Sequence, residues 1–287
     1  MKVAYLILAH KNPSQLSRLV GKLLSAGDDV FIHIDAGIDI RPFSDACGRQ
    51  GFMIPSRKRI YWAGFSIVEA TLLLMRSACA RKSYDYFCLL SGFDYPIKPL
   101  AEFRAFLKKN EGREFIDANN LLQTRPADAV RYQKFRIACP GNAVTRIAQR
   151  MVDGAGFKRE MYGGMTPYIG SQWWTLTGAC IEYVLRMVDG DPSLLRFFRH
   201  TMVPDEMFFQ TLIMNSEFKN RVVPNNLREI NWKPGAAHPL VLREPDFGRL
   251  LASDKYFARK FDEGVDARVL SMLDQHLVQK RSGSGEI

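Results

Sequence analysis

The first hundred residues alternate long apolar runs with amphipathic patterns, and this alternation constrains the fold more than any other feature. Residues 3–9 and 30–35 are nearly continuous apolar runs, as expected of strands buried on both faces of a parallel sheet. Residues 13–24 and 67–80 carry apolar side chains at helical spacing, and residues 84–90 form a further strand-like run. Strands separated by helices predict βαβ units, so we expect an α/β fold built around a Rossmann-like sheet.

Polar side chains at the ends of these strands form a candidate site. His10 and Asp35 end the first two strands, and Asp94 lies in the turn after the strand over 84–90. Ligands of such sheets bind beyond the carboxyl ends of the strands, so we expect the three side chains at one edge. Each also has a structural alternative, because His10 and Asp35 can hold a loop by hydrogen bonds and Asp94 can brace the turn before Pro96.

Pro204, Asp205 and Glu206 come just before an apolar helical run. Proline suits a first helical turn because its missing N–H would have no partner there. Acidic side chains suit the same turn because its free N–H groups carry partial positive charge. Both carboxylates are therefore explained as helix-starting groups, and a catalytic role for one of them depends on the rest of the chain.

Composition and charge narrow the classes of partner. The chain has 287 residues, of which 47% are hydrophobic and 24% charged, as in an ordinary globular protein with a substantial core. Its formal net charge of +10 suits a phosphorylated small molecule or an anionic membrane face. The basic residues are dispersed and show no zinc-finger spacing, so we do not expect nucleic acid as a partner. Neither Gly-rich nucleotide fingerprint occurs.

The cysteines and apolar runs bear on the compartment. The five cysteines include no C-x-x-C pair, which favours a reducing compartment. Residues 3–9 lack a following small-residue cleavage site, and no apolar run reaches the roughly 18 residues of a membrane span. We expect a cytoplasmic protein with peripheral contact at the anionic inner face of the membrane. A single domain over residues 1–280 and a disordered tail over 281–287 complete the predicted organisation.

The middle of the chain adds further candidates. Residues 119–170 contain a glycine-rich patch, which predicts loops or a lid. Trp173 and Trp174 have a strand-like context, so one indole should face outward, where it can stack on a sugar ring; core packing is the alternative. Residues 189–191 (Asp-Gly-Asp) match the Asp-x-Asp pattern that holds a cation in many sugar transferases, but their place after a helix favours a turn.

Five sets of residues, in order, resemble the Core-2/I-branching glycosyltransferase family, which includes branching N-acetylglucosaminyltransferases and peptide O-xylosyltransferases. The sets are residues 4–10 (Ala-Tyr-Leu-Ile-Leu-Ala-His), 30–35 (Val-Phe-Ile-His-Ile-Asp), 62–70 (Trp-Ala-Gly-Phe-Ser-Ile-Val-Glu-Ala), 86–98 (Tyr-Phe-Cys-Leu-Leu-Ser-Gly-Phe-Asp-Tyr-Pro-Ile-Lys), and a fifth set that joins 171–174 (Ser-Gln-Trp-Trp), 204–206 (Pro-Asp-Glu) and 257–262 (Phe-Ala-Arg-Lys-Phe-Asp). Each segment alone is a weak signal, but their shared order and spacing are specific.

The resemblance implies a GT-A-type fold with a mixed sheet flanked by helices, a nucleotide-sugar donor and inversion at the anomeric carbon. It also implies that basic side chains, rather than a divalent metal, neutralise the diphosphate. Lys260 and Arg259 match the family's basic site, and residues 91–94 (Ser-Gly-Phe-Asp) stand where an Asp-x-Asp would otherwise be expected. A second basic residue of some members aligns with Ala237, which leaves that half of the clamp open. The candidates for it are His238, Arg243, Arg228 and Lys233.

The chemistry of inversion explains why a carboxylate is needed. The acceptor hydroxyl attacks the anomeric carbon opposite the departing diphosphate, and a carboxylate must take its proton as the bond forms. By the match of residues 204–206, Glu206 is the candidate base, and Asp205 is its structural partner or a helix cap. Fixed cations stabilise the charge that gathers on the leaving UDP.

The resemblance also implies roles in binding the donor and the acceptor. His10 and Asp35 are expected to contact the uridine, and Asp94 the donor sugar. Trp173 and Trp174 are candidates for acceptor binding. Arg131 and Lys134 match the family's basic acceptor segment loosely, with a solvated helix face as the alternative.

We therefore expect an inverting, UDP-sugar-dependent glycosyltransferase that needs no cofactor and acts on a glycan or lipid-linked glycan acceptor. GlcNAc is the first choice of donor sugar, and xylose is the alternative because residues 257–262 look most like the xylosyltransferase branch. The small size and the lack of an anchor suggest a bacterial enzyme of polysaccharide assembly. A non-catalytic nucleotide-sugar or glycan-binding module is the competing class, since it would need the aromatic and basic residues but not Glu206.

Overall fold

Seven strands form the main sheet, in which one antiparallel strand is inserted among parallel ones. The structure, a computed structural model, describes residues 1–137, 143–233, 235 and 238–283. In spatial order the strands are β10 (Val222–Val223), β6 (Glu114–Ile116), β9 (Trp174–Thr177), β4 (Tyr86–Ser91), β1 (Val3–Ala9), β2 (Asp29–Ile34) and β3 (Phe52–Met53). The strand β9 runs antiparallel to both of its neighbours, and the other pairs are parallel. The predicted Rossmann-like mixed sheet in a single domain is confirmed.

Helices cover both faces of this sheet. Their bounds are α1 (Pro13–Leu24), α2 (Arg41–Cys47), α3 (Ser66–Cys79), α4 (Leu100–Lys109), α5 (Leu121–Thr124), α6 (Val130–Gln133), α7 (Ala143–Gly154), α8 (Gly178–Gly190), α9 (Pro192–Arg199), α10 (Phe208–Met214), α11 (Phe247–Ala252) and α12 (Arg268–Gly283). The helices and strands that the first hundred residues predict over 3–9, 13–24, 30–35, 67–80 and 84–90 are each present to within two residues.

The alternation of side chains along β1 divides the core into two layers. Tyr5 and Ile7 point into a layer that α1 closes with Leu16 and Leu19, whereas Leu6 points into the opposite layer, which α3, α8 and α10 close. All five side chains are fully buried. Burial of an aliphatic side chain of this size stabilises the fold by about 1.5–3 kcal/mol, so these layers hold the sheet in place.

Two small sheets attach the later part of the chain to the main one. The strands β11 (Arg228–Ile230), β12 (Phe257–Arg259) and β5 (Tyr95–Pro96) pair in that order. Because β5 follows the turn at the end of β4, this pairing brings the end of β12 to the carboxyl edge of the main sheet. The strands β7 (Asn119–Asn120) and β8 (Tyr168–Ile169) form a second short pair.

The structure differs from the sequence expectation in two places. In its described part, the segment over 119–170, predicted as loops or a lid, contains three α-helices, of which α7 is the longest. The periodic apolar residues of α7 are exposed, and flanking glycines made the pattern hard to recognise. The helix α12 includes residues 281–283, where the sequence predicts the start of a disordered tail; residues 284–287 lie outside the described part.

No helix in the described part of the chain is both long enough and apolar enough to cross a bilayer.

Candidate active site

Three strand ends meet at the carboxyl edge of the main sheet. Ala9 of β1 pairs with Ile34 of β2, and Leu8 pairs with Ser91 of β4. The backbone continues this contact, since the N–H of Gly92 donates to the carbonyl of Leu8 at 2.9 Å. His10, Asp35 and the 91–94 turn therefore lie at one edge, as the sequence predicts.

The buried carboxylate of Asp94 braces the turn and faces Arg259. Its Oδ2 accepts a hydrogen bond from the N–H of Ser91, and its Oδ1 lies 3.3 Å from the Arg259 Nε. Neither the Asp94 Oδ1 nor the Arg259 Nε has a hydrogen-bond partner in the described residues. The two groups therefore interact as an ion pair, without a hydrogen bond between these atoms. The structural alternative for Asp94, a brace for the turn, is present, and its contact with the donor sugar stays a prediction.

Arg259 also covers the indole of Trp173, with its guanidinium carbon 4.1 Å from the ring centroid. Trp173 is 5% exposed and Trp174 is 0% exposed. The expectation that one of the two indoles faces outward to stack on a sugar is wrong. The reason is that β9 begins only at Trp174, so Trp173 lies before the strand and escapes its alternation.

Lys260 and His10 both contact the ring of Phe93. The Lys260 Nζ is 4.5 Å from the Phe93 ring centroid, and the His10 ring is 5.3 Å from it. Burial lowers the pKa of Lys260, and the neighbouring Arg259 charge lowers it further. Burial likewise lowers the pKa of His10, against the opposing effect of Asp35, so the imidazole is neutral at pH 7. An anion bound here would relieve the repulsion between the two cations.

Asp35 holds a neighbouring loop in place. Its Oδ1 accepts hydrogen bonds from the N–H groups of Gly37 at 2.7 Å and of Ile60 at 3.1 Å. The structural alternative for this residue is therefore present. The charge of Asp35 raises the pKa of His10, as expected of two side chains at the same edge of the sheet.

Glu206 ends a short 3-10 turn, Pro204–Glu206, that precedes α10. Its side chain is 35% exposed, and its Oε2 accepts a hydrogen bond from the Arg131 Nη1 at 2.8 Å. Arg131 also lies 3.6 Å from Asp128 and is mostly buried. The alternative of a solvated helix face is wrong for Arg131, because it is inserted between two carboxylates. Lys134 is exposed at the end of α6.

Asp205 is buried, within range of the charges of Glu206 and Arg131. Neither the 3-10 turn nor α10 has a side-chain cap, so the predicted helix-cap role is wrong. Its Oδ1 is buried without a hydrogen-bond partner in the described residues. Burial, followed by the charge of Glu206, raises the pKa of Asp205 to about 7.

A backbone contact joins the Glu206 turn to the sheet edge. The N–H of Gly170 donates to the carbonyl of Glu206 at 2.9 Å, and a Cβ on Gly170 would lie 1.7 Å from the carbonyl oxygen of Asp117. Asp117 follows β6, which runs parallel to β4, so it lies at the same carboxyl edge. Sequence reasoning missed Asp117, although an acid directly after a strand is the signal that identified Asp35. Burial raises the pKa of Asp117.

A cavity of about 330 Å³ opens beside the Glu206 turn. Its lining includes Trp62, which is largely exposed, and Met202, four residues before Glu206. The N–H of Val203 donates to the carbonyl of Ala63 at 3.1 Å, which joins the two walls. The cationic side chains of the lining are Arg59, Arg136 and Arg199. A larger cavity of about 440 Å³ lies among α1, α4 and α12 and includes none of the candidate site residues.

The candidates for the second half of the diphosphate clamp lie in different surroundings. The N–H of Leu242 donates to the Lys260 carbonyl at 2.9 Å, so the chain next to Arg243 runs beside Lys260. His238 is exposed and packs edge-on against Trp62 at 5.7 Å, which places it beside the cavity. Arg243 is exposed, and its N–H donates to Asp246 at 2.9 Å. Arg228 is wrong as a clamp residue, because it is buried beneath the sheet and donates to the Leu89 carbonyl at 2.7 Å. Lys233 is exposed, and Ala237 lies outside the described residues.

The Asp-Gly-Asp sequence forms a turn, as predicted. Asp189 is paired with Arg76, and the Oδ1 of Asp191 accepts a hydrogen bond from the N–H of Ser193 at 3.0 Å to cap α9. Within the described ranges, no group of three or more His, Cys, Asp or Glu side chains is placed to hold a metal ion. Independence from metal stays a prediction.

The sheet, with cations and a carboxylate at its carboxyl edge, defines an α/β protein equipped to bind a charged ligand there. The family model for the Core-2/I-Branching enzyme matches residues 3–249. The chain therefore belongs to that family.

Curated relatives agree with this placement. The chain is 29% identical to Xylosyltransferase 2 of Homo sapiens over 301 residues, which cover 96% of this chain and 34% of that protein. It is 26% identical to Xylosyltransferase oxt of Drosophila melanogaster over 303 residues, covering 96% and 33%. The chain thus spans about a third of the length of these relatives. A solved Bacillus anthracis structure described as a glucose-1-phosphate thymidylyltransferase, in complex with a sucrose, aligns with 63% of this chain and 74% of its own at 11% identity and a TM-score of 0.33, which is too low to carry an argument.

Proposed function

We propose that the protein transfers a sugar from a UDP donor to a hydroxyl of a glycan acceptor, with inversion and without a divalent metal. The observation that carries the proposal is the placement of Arg259 and Lys260 side by side at the carboxyl edge of the sheet. Two adjacent cations of lowered pKa favour a bound anion, and a diphosphate has the matching charge. Their role would be to stabilise the leaving UDP, which a metal ion does in other transferases.

Glu206 is the proposed catalytic base. The proton of the acceptor hydroxyl passes to its carboxylate while the acceptor oxygen bonds to the anomeric carbon, and the bond from that carbon to the diphosphate oxygen breaks. Its partial exposure supports this role, since an acceptor hydroxyl can reach a carboxylate that is 35% exposed. Arg131 orients the carboxylate from the protein side. His10 and Asp35 remain the proposed uridine contacts, and Asp94 acts through Arg259.

The cavity beside the Glu206 turn is the proposed acceptor site. The exposed indole of Trp62, rather than Trp173 or Trp174, offers the open ring face that a sugar can stack on. The guanidinium groups that line the cavity favour an acceptor carrying a carboxylate, sulfate or phosphate. Arg199 is already paired with Glu69 at 3.0 Å, and Arg136 lies 3.9 Å from Asp153, so Arg59 is the first residue to test for this contact.

The donor sugar is proposed as xylose first and GlcNAc second. The sequence alone favours GlcNAc, but the named relatives are xylosyltransferases that match over 96% of this chain. A screen of UDP-xylose against UDP-GlcNAc, scored by UDP release with and without EDTA, decides between them. Loss of activity on chelation would overturn the metal-free mechanism.

The variant Glu206→Gln separates the enzyme from a non-catalytic binding module. We expect turnover to fall by about 100-fold or more while the Kd for UDP, measured by calorimetry, stays within about twofold. Glu69→Gln is the control, because this carboxylate lines the same cavity but pairs with Arg199. A parent protein that binds UDP and releases none from any donor would support the binding module instead.

A further inference from the structure

The helix α7 is turned with its apolar side toward solvent. Val144, Ile147 and Met151 are 73%, 57% and 72% exposed. Their spacing of three and four residues places them on one strip of the helix surface. Phe157, three residues after the helix ends, is 64% exposed as well. A surface helix ordinarily does the reverse and buries such a strip against the core.

Polar contacts hold α7 in this orientation. The Gln149 Oε1 accepts a hydrogen bond from the N–H of Ile137 at 2.9 Å, and its Nε2 donates to the Phe135 carbonyl at 3.0 Å. The same Nε2 lies 3.1 Å from Asp153, which is 3.9 Å from the Arg136 Nη1. The side of the helix that carries Gln149 therefore faces the protein, and the apolar strip is left for a partner.

The charges around the strip identify the partner. Arg146 and Arg150 are exposed on the side of the helix next to the strip, and Lys158 is exposed beside Phe157. Two acidic residues lie nearby. Asp153 is 3.9 Å from Arg136, and Glu160 is exposed beyond the end of the helix. An apolar strip flanked by basic residues, on a protein of net charge +10, is complementary to an anionic lipid surface.

We propose that Val144, Ile147, Met151 and Phe157 form a membrane-docking surface, with α7 lying in the headgroup region of an anionic bilayer. A second copy of this chain fits less well. A symmetric contact through the same strip would bring Arg146 and Arg150 of both copies together, without an acidic group on the strip to pair with them.

Docking through α7 would place the acceptor side of the site near the bilayer. The helix packs on residues 133–137, which directly follow the α6 helix that carries Arg131, the partner of Glu206. A lipid-linked glycan at the surface would then approach the Glu206 side of the sheet edge. This last step rests on the proposed function, whereas the docking itself does not.

Vesicle co-sedimentation tests the docking surface. The probe is phosphatidylcholine vesicles with and without 30 mol% phosphatidylglycerol, at roughly 0.1 M salt, where surface charge is still felt over about 10 Å. We expect the parent to bind only the anionic vesicles. The double variant Ile147→Glu/Met151→Glu should lose binding by about 30-fold or more, because it replaces apolar contact with repelled charge. Ile38→Glu/Val265→Glu is the matched control, since these residues are 39% and 47% exposed elsewhere.

A second pair of variants tests whether vesicle binding depends on where the basic residues lie or only on the net charge of the protein. Arg146→Glu/Arg150→Glu should weaken binding by about 30-fold or more, whereas Lys108→Glu/Lys109→Glu on α4, which changes the net charge equally, should change it less than about threefold. All four variants should retain UDP binding, so a failure of docking is distinguishable from a failure of the proposed function. The proposal is overturned if the parent does not bind the vesicles, or if the control pairs lose as much binding as the test pairs. A lipid-free dimer that Met151→Glu abolishes would also overturn it.

Discussion

The Nη1 of Arg131 lies 2.8 Å from the Oε2 of Glu206 and fixes the carboxylate from the protein side. Arg131 is in turn held by Asp128, so the carboxylate is oriented from behind by a mostly buried cation. A misplaced base loses rate even when it is chemically intact, because proton transfer depends on geometry.

The first prediction follows from this contact. Arg131→Gln should lower kcat by about tenfold to 100-fold, with the KM for the donor unchanged, and Arg131→Lys should restore part of the loss. Steady-state kinetics with the preferred donor measures both constants. Arg125→Gln is the control, because Arg125 lies 3.7 Å from the same Asp128 but is largely exposed. An unchanged kcat in Arg131→Gln would remove the positioning role.

Asp205 should make the stability of the protein depend on pH. Its carboxyl has a pKa of about 7 in the fold, against 3.8 for the unperturbed group. Below the lower value both states hold the proton. Between the two values the folded state keeps the proton that the unfolded state releases, so the free energy of unfolding falls as pH rises, by at most about 1.4 kcal/mol per pH unit.

Asp205→Asn removes this dependence. The free energy of unfolding of the variant, relative to the parent, should therefore rise by about 2–4 kcal/mol between pH 4 and pH 7.5. Urea unfolding at a series of pH values provides the measurement, and Asp45→Asn, at an exposed site, is the control. Parallel pH profiles for the parent and Asp205→Asn would contradict the raised pKa.

Arg259 and Lys260 should respond differently to substitution although they are adjacent. Arg259→Gln leaves the buried Asp94 carboxylate without its cation, which should destabilise the fold by about 3–5 kcal/mol. Lys260→Met should change stability little, because Lys260 forms no ion pair with the described residues, but it should weaken UDP binding by about tenfold or more.

The double variant Asp94→Asn/Arg259→Gln separates the two roles of Arg259. We expect it to recover most of the lost stability, because the unpaired buried charge is gone, and to remain weak in UDP binding. Thermal unfolding and calorimetric titration with UDP measure the two effects. Recovery of both together would show that Arg259 acts only through the fold.

The sequence predicted the residues at the carboxyl edge of the sheet better than the contacts of Glu206 and of the two tryptophans. His10, Asp35 and Asp94 were found because strand ends follow from apolar periodicity, which is a local signal. The pairing of Arg131 with Glu206 spans 75 residues, and no local pattern reports such a contact. Trp173 and Trp174 were misjudged because the start of β9 was placed too early. Asp117 was missed because β6 has only three residues.

Gly170 links the stability of the sheet edge to the position of the base. Its N–H holds the Glu206 carbonyl at 2.9 Å, and any Cβ there would overlap the Asp117 carbonyl oxygen at 1.7 Å. Gly170→Ala must therefore displace backbone on one side or the other. We expect a loss of about 2 kcal/mol or more in the free energy of unfolding, together with a fall in kcat, because the 204–206 turn moves with the displaced segment.

Gly190→Ala is the matched control for this substitution. Gly190 is the last residue of α8, and a Cβ there meets nothing within 4 Å. Alanine at this position should be neutral, or stabilising by up to about 1 kcal/mol, because it removes chain freedom from the unfolded state. Urea unfolding and turnover measured on both variants decide the point. If Gly170→Ala unfolds like the parent and keeps its kcat, the sheet edge does not position Glu206, and the base must be held by Arg131 alone.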